Sequence, residues 1–457
     1  MVRRSRYERI LGTRSAAHLP LAVAMAQASH HARQEIDVSE PHDRAIRDVA
    51  AGVAGPALVA YLLWIFKTVE SEPQSRLLFL SRDGQVLHLL ARRLATALGW
   101  KNDLNYVYSS RRTWSLAASE PEHLADEPWL FDSLVRSNAQ DLCARLGIPF
   151  LSFLPILEQC HVSLEPEHRS DDVGQLSAFR RFLCQPAVID AMRPRISGLR
   201  EQLTDYCSQQ GLTGPDAVLV DAGWTGRMVS ALGRVLLDGG YVPPRAYFWG
   251  YQPKRMDSGS IEIWPYMFDT ARQSGLNYRL YDTPFLVETL CMGDHGIVSG
   301  YARGEDGYVA PLLASPDNVA AKSWGLSLYR ATLMAFCDGL EDTGVLSTRS
   351  IVVGEDVRPI INAAMRAFWL TPTRMEARSW GSYIYDSDPT GTAAGPLAKA
   401  YTSDEVEHAL QTRELQRGGR PWIAGSIALS SPSLRGAYAS TVRGEHSLPS
   451  LGLPPSH

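Results

Sequence analysis

The stretch "LLFLSRDGQVLHLLARRLATALGW", Leu77 to Trp100, decides how the rest of the chain is read. Its opening "RLLFL" is apolar at nearly every position, which suits a short strand covered on both faces. Asp83-Gly84 then breaks the run, and Val86, Leu87, Leu90, Leu94 and Leu98 recur at the spacing of an amphipathic helix. A second strand, "NYVYSS", follows at Asn105 to Ser110. Strand, helix and strand at this distance form a βαβ unit, which packs as a right-handed parallel crossover.

Further along, "DAVLV" reads as a third buried strand. It leads into the helical "DAGWTGRMVSALGRVLL" and, after Gly239-Gly240, the strand "AYFWGY". Residues 113–215 lie between and are mainly helical in pattern, "PAVIDAMRPRISGLREQLTDYC" being the clearest case. The expected fold is therefore α/β, with a Rossmann-like parallel sheet over 41–112 and 216–310. A large helical insertion occupies 113–215, about the size of a small domain. Upstream, an apolar stripe runs from Ile46 to Phe66, with a kink expected at Gly55-Pro56. Residues 1–40 mix Arg, Ala and His without sustained periodicity and read as a tail with some helix. Downstream, Thr283-Pro284 starts a helix, with proline suited to the first turn. "GYARGEDGYVAPL" reads as a hairpin turning at Asp306-Gly307. Residues 311–430 are mainly helical in pattern, and the Pro/Ser/Gly-rich 431–457 is expected to be disordered.

Composition excludes several classes. The 457 residues are 45% hydrophobic and 21% charged, with a formal net charge of -4, which gives no reason to invoke nucleic acid. Cys143, Cys160, Cys184, Cys207, Cys291 and Cys337 are scattered without CxxC spacing, so a structural zinc site is rejected and reduced thiols are expected. The basic N-terminus lacks an apolar signal core. The longest apolar run, Val53 to Phe66, is shorter than the roughly 20 residues a bilayer needs. A cytoplasmic protein with no membrane span is expected, its oligomeric state open.

Ligands of open parallel sheets collect outside the carboxyl ends of the strands, and there this sequence places its polar residues. Strand one ends in Ser81-Arg82-Asp83-Gly84 and strand two in Ser109-Ser110-Arg111-Arg112. Strand three ends in Asp221-Ala222-Gly223-Trp224-Thr225-Gly226-Arg227. Aspartates there can ligate Mg²⁺ or carry a proton, hydroxyls and N–H groups cradle phosphate, and arginine grips it. Gly223 and Gly226 allow close backbone approach. Taken singly, each has a plainer reading: Asp-Gly as a turn or cap, Arg111-Arg112 as a solvated pair, Trp224 as packing. Their convergence on one sheet edge favours a site. His88 and Glu288 are read as packing or surface groups, and His295 beside Asp294 as a dyad without a motif. No GxSxG, Walker loop or HExxH is present.

The stretches "GPALVAYLLWI", "LLFLSRDGQ", "YVYSSRR", "VLVDAGWTGRM" and "PFLVETL…GIVSGY", in that order, resemble the haloacid dehalogenase (HAD) superfamily. "PWIAGSIA" extends the match more weakly to about residue 430. The nearest likeness is a bacterial branch of predicted hydrolases often linked with surface-polysaccharide genes. The resemblance implies phosphoryl transfer from a small phosphorylated metabolite with Mg²⁺. It puts Ser81 in the nucleophile's place, Asp83 as acid/base, Ser109 or Ser110 as the phosphate-contacting hydroxyl, and Asp221 as the metal aspartate. No lysine fills the family's usual position, for which Arg193, Arg195 or Arg200 could substitute. The insertion sits where some members carry a cap. The departure lies at Ser81, which cannot form an aspartyl-phosphate. Asp83 would act in a shifted register, or water or an acceptor would attack directly, or the site would bind without turnover. Two other readings are a phosphoribosyltransferase using Asp221 and the Thr225-Gly226 turn, and a non-catalytic HAD-derived scaffold clamping anions with Arg82, Arg111 and Arg227.

Overall fold

A computed structural model describes the chain except residues 1–2, 14–18, 132–137, 165–172, 254–259, 271, 273, 276–284, 348–355, 387–393, 413–414, 416–419 and 444–457. The centre is a sheet in the order β2-β1-β3-β4-β5-β6. Its strands are β1 (Arg76–Leu80), β2 (Leu104–Val107), β3 (Ala217–Trp224), β4 (Arg245–Tyr251), β5 (Ile263–Asp269) and β6 (Ser274–Gly275). The first five pair parallel; only the two-residue β6 runs antiparallel at the edge. This is the Rossmann-like sheet expected from the sequence. β5 is an addition, because Trp264-Pro265 interrupts its apolar run.

Alternation along β1 and β3 explains why both read as continuous apolar runs. Leu77 and Phe79 face one core while Leu78 and Leu80 face the other; Val218, Val220 and Ala222 oppose Ala217 and Leu219 in the same way. The helices α1 (Arg6–Leu11), α2 (Pro20–Glu35), α3 (Pro41–Thr68) and α4 (Gly84–Leu98) join the first core. The second is covered by α5 (Arg111–Ala117), α6 (Pro186–Gln209) and α7 (Arg227–Asp238).

Two expectations about the ends need correction. The supposed tail 1–40 contains α1 and α2, with Tyr7, Leu11, Leu21 and Met25 buried. Their alanine-rich faces bury by close approach rather than by bulk, which blurs the periodic signal. Arg6 (2.5 Å) and the Tyr7 hydroxyl (2.6 Å) both donate to Glu376, tying α1 to the far end of the chain. The supposed disordered end is helical over Pro432–Arg443, with Leu434 buried; residues 444–457 lie outside the described residues.

The kink expected at Gly55-Pro56 is replaced by a wide turn just before it. α3 is helical throughout its 28 residues, with a π-helical segment at Ala50–Ala54. By length and hydropathy α3 could cross a membrane, although the apolar run alone looked too short. Yet 94% of its most apolar window is buried inside the protein. Gly52 and Gly55 let Tyr7 and Phe336 pack directly on its backbone.

The insertion has its own apolar cluster, including Leu124, Leu142, Leu157, Phe179, Phe182 and Met192. The hairpin is present as β7 (Val298–Arg303) and β8 (Val309–Leu313), with Gly307 at φ +80° in its turn. Thr283 and Pro284 lie outside the described residues. The helix expected after them is α8 (Phe285–Leu290), and α9 (Leu326–Asp342) follows.

Candidate functional site

β1 has β2 on one side and β3 on the other, so the chain leaves β1 in one direction and resumes the sheet in the other. That reversal opens a crevice at the carboxyl ends of β1 and β3. A cleft of about 640 Å³ occupies it. Thirteen of the fourteen candidate residues line this cleft: Ser81, Arg82, Asp83, Ser109, Ser110, Arg111, Arg112, Asp221, Gly223, Trp224, Thr225, Gly226 and Arg227. Gly84 does not. It opens α4 where an added Cβ would lie 2.7 Å from the Phe79 carbonyl carbon, so it serves the close packing of helix on strand.

The hydroxyls expected to face phosphate are taken up by backbone. Ser81 Oγ donates to the Ser109 carbonyl (2.9 Å) and accepts the Ser109 N–H (2.8 Å), while Ser109 Oγ donates to the Ser81 carbonyl (2.9 Å). This reciprocal clamp joins the tips of β1 and β2, and it commits the only proton Ser81 could give up on attack. Ser110 caps α5, accepting from the Thr113 N–H (3.2 Å) and hydroxyl (3.0 Å).

The arginines divide. Arg112 donates to the carbonyls of Ala144 (2.7 Å) and Ser299 (2.6 Å), bridging the insertion and the hairpin rather than reaching for a ligand. Arg111 is exposed on the cleft wall, and its charge acts on both Asp83 and Asp221. Arg82 also faces Asp83, and Arg227 heads α7 behind Gly226, whose φ of +80° suits glycine. None of Arg193, Arg195 and Arg200 lines the cleft. Arg193 pairs with Glu122 (2.6 Å), Arg200 holds the Ala117 and Ser119 carbonyls (2.8 and 3.0 Å), and Arg195 packs over Gly147.

Three carboxylates share the cleft. Asp221, 6% exposed, is pushed up to about 7, first by burial and then by the Glu288 charge. The Ala222 N–H donated to its Oδ1 (2.9 Å) and the Arg111 charge hold it back. Asp83 opens partly to the cleft but is walled in by protein. Burial, then the Glu288 and Asp221 charges, drive it well above the carboxylate range against Arg82 and Arg111. So the Asp221 charge reaches Asp83.

No protein-family model matches the chain, and no curated protein matches it. The site is therefore read from its own geometry.

Glu288, set aside as a surface group in the sequence, is the principal omission: it lines the cleft and shifts both aspartates. The Tyr385 hydroxyl, from β9 (Ile384–Asp386), donates to its Oε2. The insertion adds Trp129 and Arg145 to the lining, and Phe285, Tyr383 and Tyr385 supply an aromatic wall. Only the "PFLVETL" stretch offered a hint of this in the sequence. Trp224 lies against Phe268 (5.5 Å between ring centroids) and is 7% exposed. Its Nε1 is buried without an acceptor among the described residues. His295 forms no dyad with Asp294. It bonds the Tyr106 hydroxyl and the Gly296 carbonyl (2.7 Å each), while Asp294 takes Gln85 (2.7 Å) and Arg330 (2.8 Å). His88 bonds the Leu104 carbonyl (3.1 Å), the structural role expected of it.

Among the described residues no group of three or more His, Cys, Asp or Glu side chains is placed to hold a metal. Asp83 and Asp221 nevertheless suit Mg²⁺, which is commonly bound through one or two carboxylates plus substrate oxygens. Ionised together on one lining, the two acids would carry negative charge that a cation would neutralise.

Proposed function

We propose that the cleft binds a small phosphorylated metabolite and that the protein is a HAD-like phosphohydrolase or phosphotransferase acting without the usual first aspartate. The observation that carries this reading is that Asp83 and Asp221 line one cleft at the β1/β3 crevice together with Arg82, Arg111 and Arg227. The N-termini of α4 and α7 open at the same rim, which favours an anion there. In this reading the arginines and backbone N–H groups hold the phosphoryl oxygens, and water or an acceptor hydroxyl attacks phosphorus directly. Asp83, kept protonated by its surroundings, gives its proton to the departing oxygen. Mg²⁺, where bound, would be held by Asp221 together with substrate oxygens and would neutralise phosphoryl charge, because a cation on Asp83 would expel the proton this step uses.

A second reading is favoured by one observation. Because Ser81 Oγ is fully engaged with Ser109, the same pocket would serve as a non-catalytic anion scaffold if no base acts on water. A panel of phosphate esters with Mg²⁺, run on wild type and Asp83→Asn, separates the two. Turnover lost in the variant supports the enzyme. Anion binding without turnover supports the scaffold, and pyrophosphate release from phosphoribosyl pyrophosphate would point to a phosphoribosyltransferase instead.

A further inference from the structure

We infer that Glu288 is the proton-accepting catalytic residue of the cleft and that the Tyr385 hydroxyl positions it. This rests on the phosphoryl-transfer reading above and adds the component that reading lacks. With the Ser81 proton committed to Ser109, the attacking oxygen must come from water or an acceptor hydroxyl, and that oxygen needs a base. The two aspartates on the same lining have other tasks in that reading, Asp83 as proton donor and Asp221 as the group that would hold a cation.

Glu288 is differently placed. Four of the six residues of α8 (Leu286, Val287, Thr289 and Leu290) are buried, and the Tyr329 hydroxyl donates to the Leu290 carbonyl (2.5 Å). The helix is thus fixed in the core while the Glu288 side chain stays half-exposed at the cleft. Tyr385 is itself held edge-on against Phe285 (5.1 Å, 89°), so its hydroxyl reaches Glu288 from a braced ring. One carboxylate oxygen receives the phenol, which leaves the other to receive a proton. The buried, unpartnered indole N–H of Trp224 on the same cleft lining is a second sign that a ligand acceptor belongs there.

The step balances without any further reactant. The attacking oxygen forms a bond to phosphorus as the ester P–O bond breaks. The proton of the attacking water goes to Glu288, and the leaving oxygen takes the proton of Asp83. Glu288 ends protonated and Asp83 ionised, and exchange with solvent restores both.

The test uses the full chain, with p-nitrophenyl phosphate and a panel of sugar and nucleoside monophosphates plus Mg²⁺, read as kcat and KM against pH. Glu288→Gln keeps an acceptor for Tyr385 and should fold like wild type, which circular dichroism and thermal melting would check. It is expected to lower kcat by about 10²–10⁴-fold with little change in KM. Tyr385→Phe should lower kcat about ten-fold with KM unchanged, because the donor that orients the carboxylate is gone. A Glu288→Gln enzyme within a few-fold of wild-type kcat overturns the assignment while leaving the phosphatase reading standing, and a Tyr385→Phe enzyme with wild-type kcat overturns the positioning role. Absence of turnover by wild type across the panel overturns both. Glu288→Asp, which keeps the carboxylate but shortens its reach, should recover part of the lost rate; if it is no better than Gln, a proton-accepting role is refuted.

Discussion

Replacing Asp221 by asparagine should stabilise the protein, and the gain should grow with pH. The carboxyl titrates near 7 in the folded protein against 3.8 for the free side chain. Below about pH 4 both states carry the proton, and Asp221 makes no difference. Between about 4 and 7 the unfolded chain ionises while the folded one does not, so the unfolded state binds fewer protons and stability falls as pH rises. The full loss is about 1.4 kcal/mol per unit over roughly three units, or about 4 kcal/mol, reached near pH 8. At pH 5 only about 1.5 kcal/mol has been lost on the same slope. An asparagine side chain cannot ionise, yet its oxygen still accepts the Ala222 N–H, so the variant escapes the penalty without leaving that donor unpaired. Equilibrium urea unfolding of both proteins, followed by tryptophan fluorescence at pH 5 and pH 8, measures the difference. The variant should gain about 2–3 kcal/mol more at pH 8 than at pH 5. An equal gain at both values, or a loss at pH 8, would show that Asp221 is not strained by its charge and would refute the electrostatic reading of the cleft. A stabilised but impaired variant is the signature of a group retained for function.

Other perturbations separate structure from ligand binding. Arg111→Ala should weaken inorganic phosphate binding about ten-fold in calorimetry, with a change in unfolding free energy within about 0.5 kcal/mol, since its guanidinium is exposed. Arg112→Ala should do the reverse, costing about 2 kcal/mol by freeing the Ala144 and Ser299 carbonyls, seen as an earlier unfolding midpoint. Gly84→Ala should destabilise by about 1–3 kcal/mol by the same assay, because its methyl would collide with the backbone of Phe79.

Much of the sheet was legible because strands buried on both faces carry unbroken apolar runs, as Leu77–Leu80 of β1, Ala217–Val220 of β3 and Ala246–Trp249 of β4 do. The acids and arginines at their ends were legible because charge interrupts an otherwise apolar run there, although Asp221 proves to be buried. The roles of the hydroxyls were misread through a local competition. Strand tips leave orphan N–H and C=O groups, and Ser81, Ser109 and Ser110 satisfy those before any ligand. Glu288 was noticed but set aside as a surface group for the opposite reason. Its neighbourhood depends on Tyr385, 97 residues further along the chain, and no short-range pattern encodes that contact. Some helix was expected at the N-terminus, but its burial in the core was not, because alanine faces carry little amphipathic contrast.

α3 has a bearing on how the molecule is made. Its 28 residues would satisfy a lipid bilayer as readily as a protein interior, and what distinguishes the two is cover. Part of that cover is Phe336 on α9, seated over Gly55 and synthesised long after the helix it shields. Until it arrives, the nascent chain carries a greasy rod that chaperones, membranes and sister chains would all compete to bind. Truncations ending before α9 should accordingly be sedimented or lipid-associated, whatever the condition of the sheet.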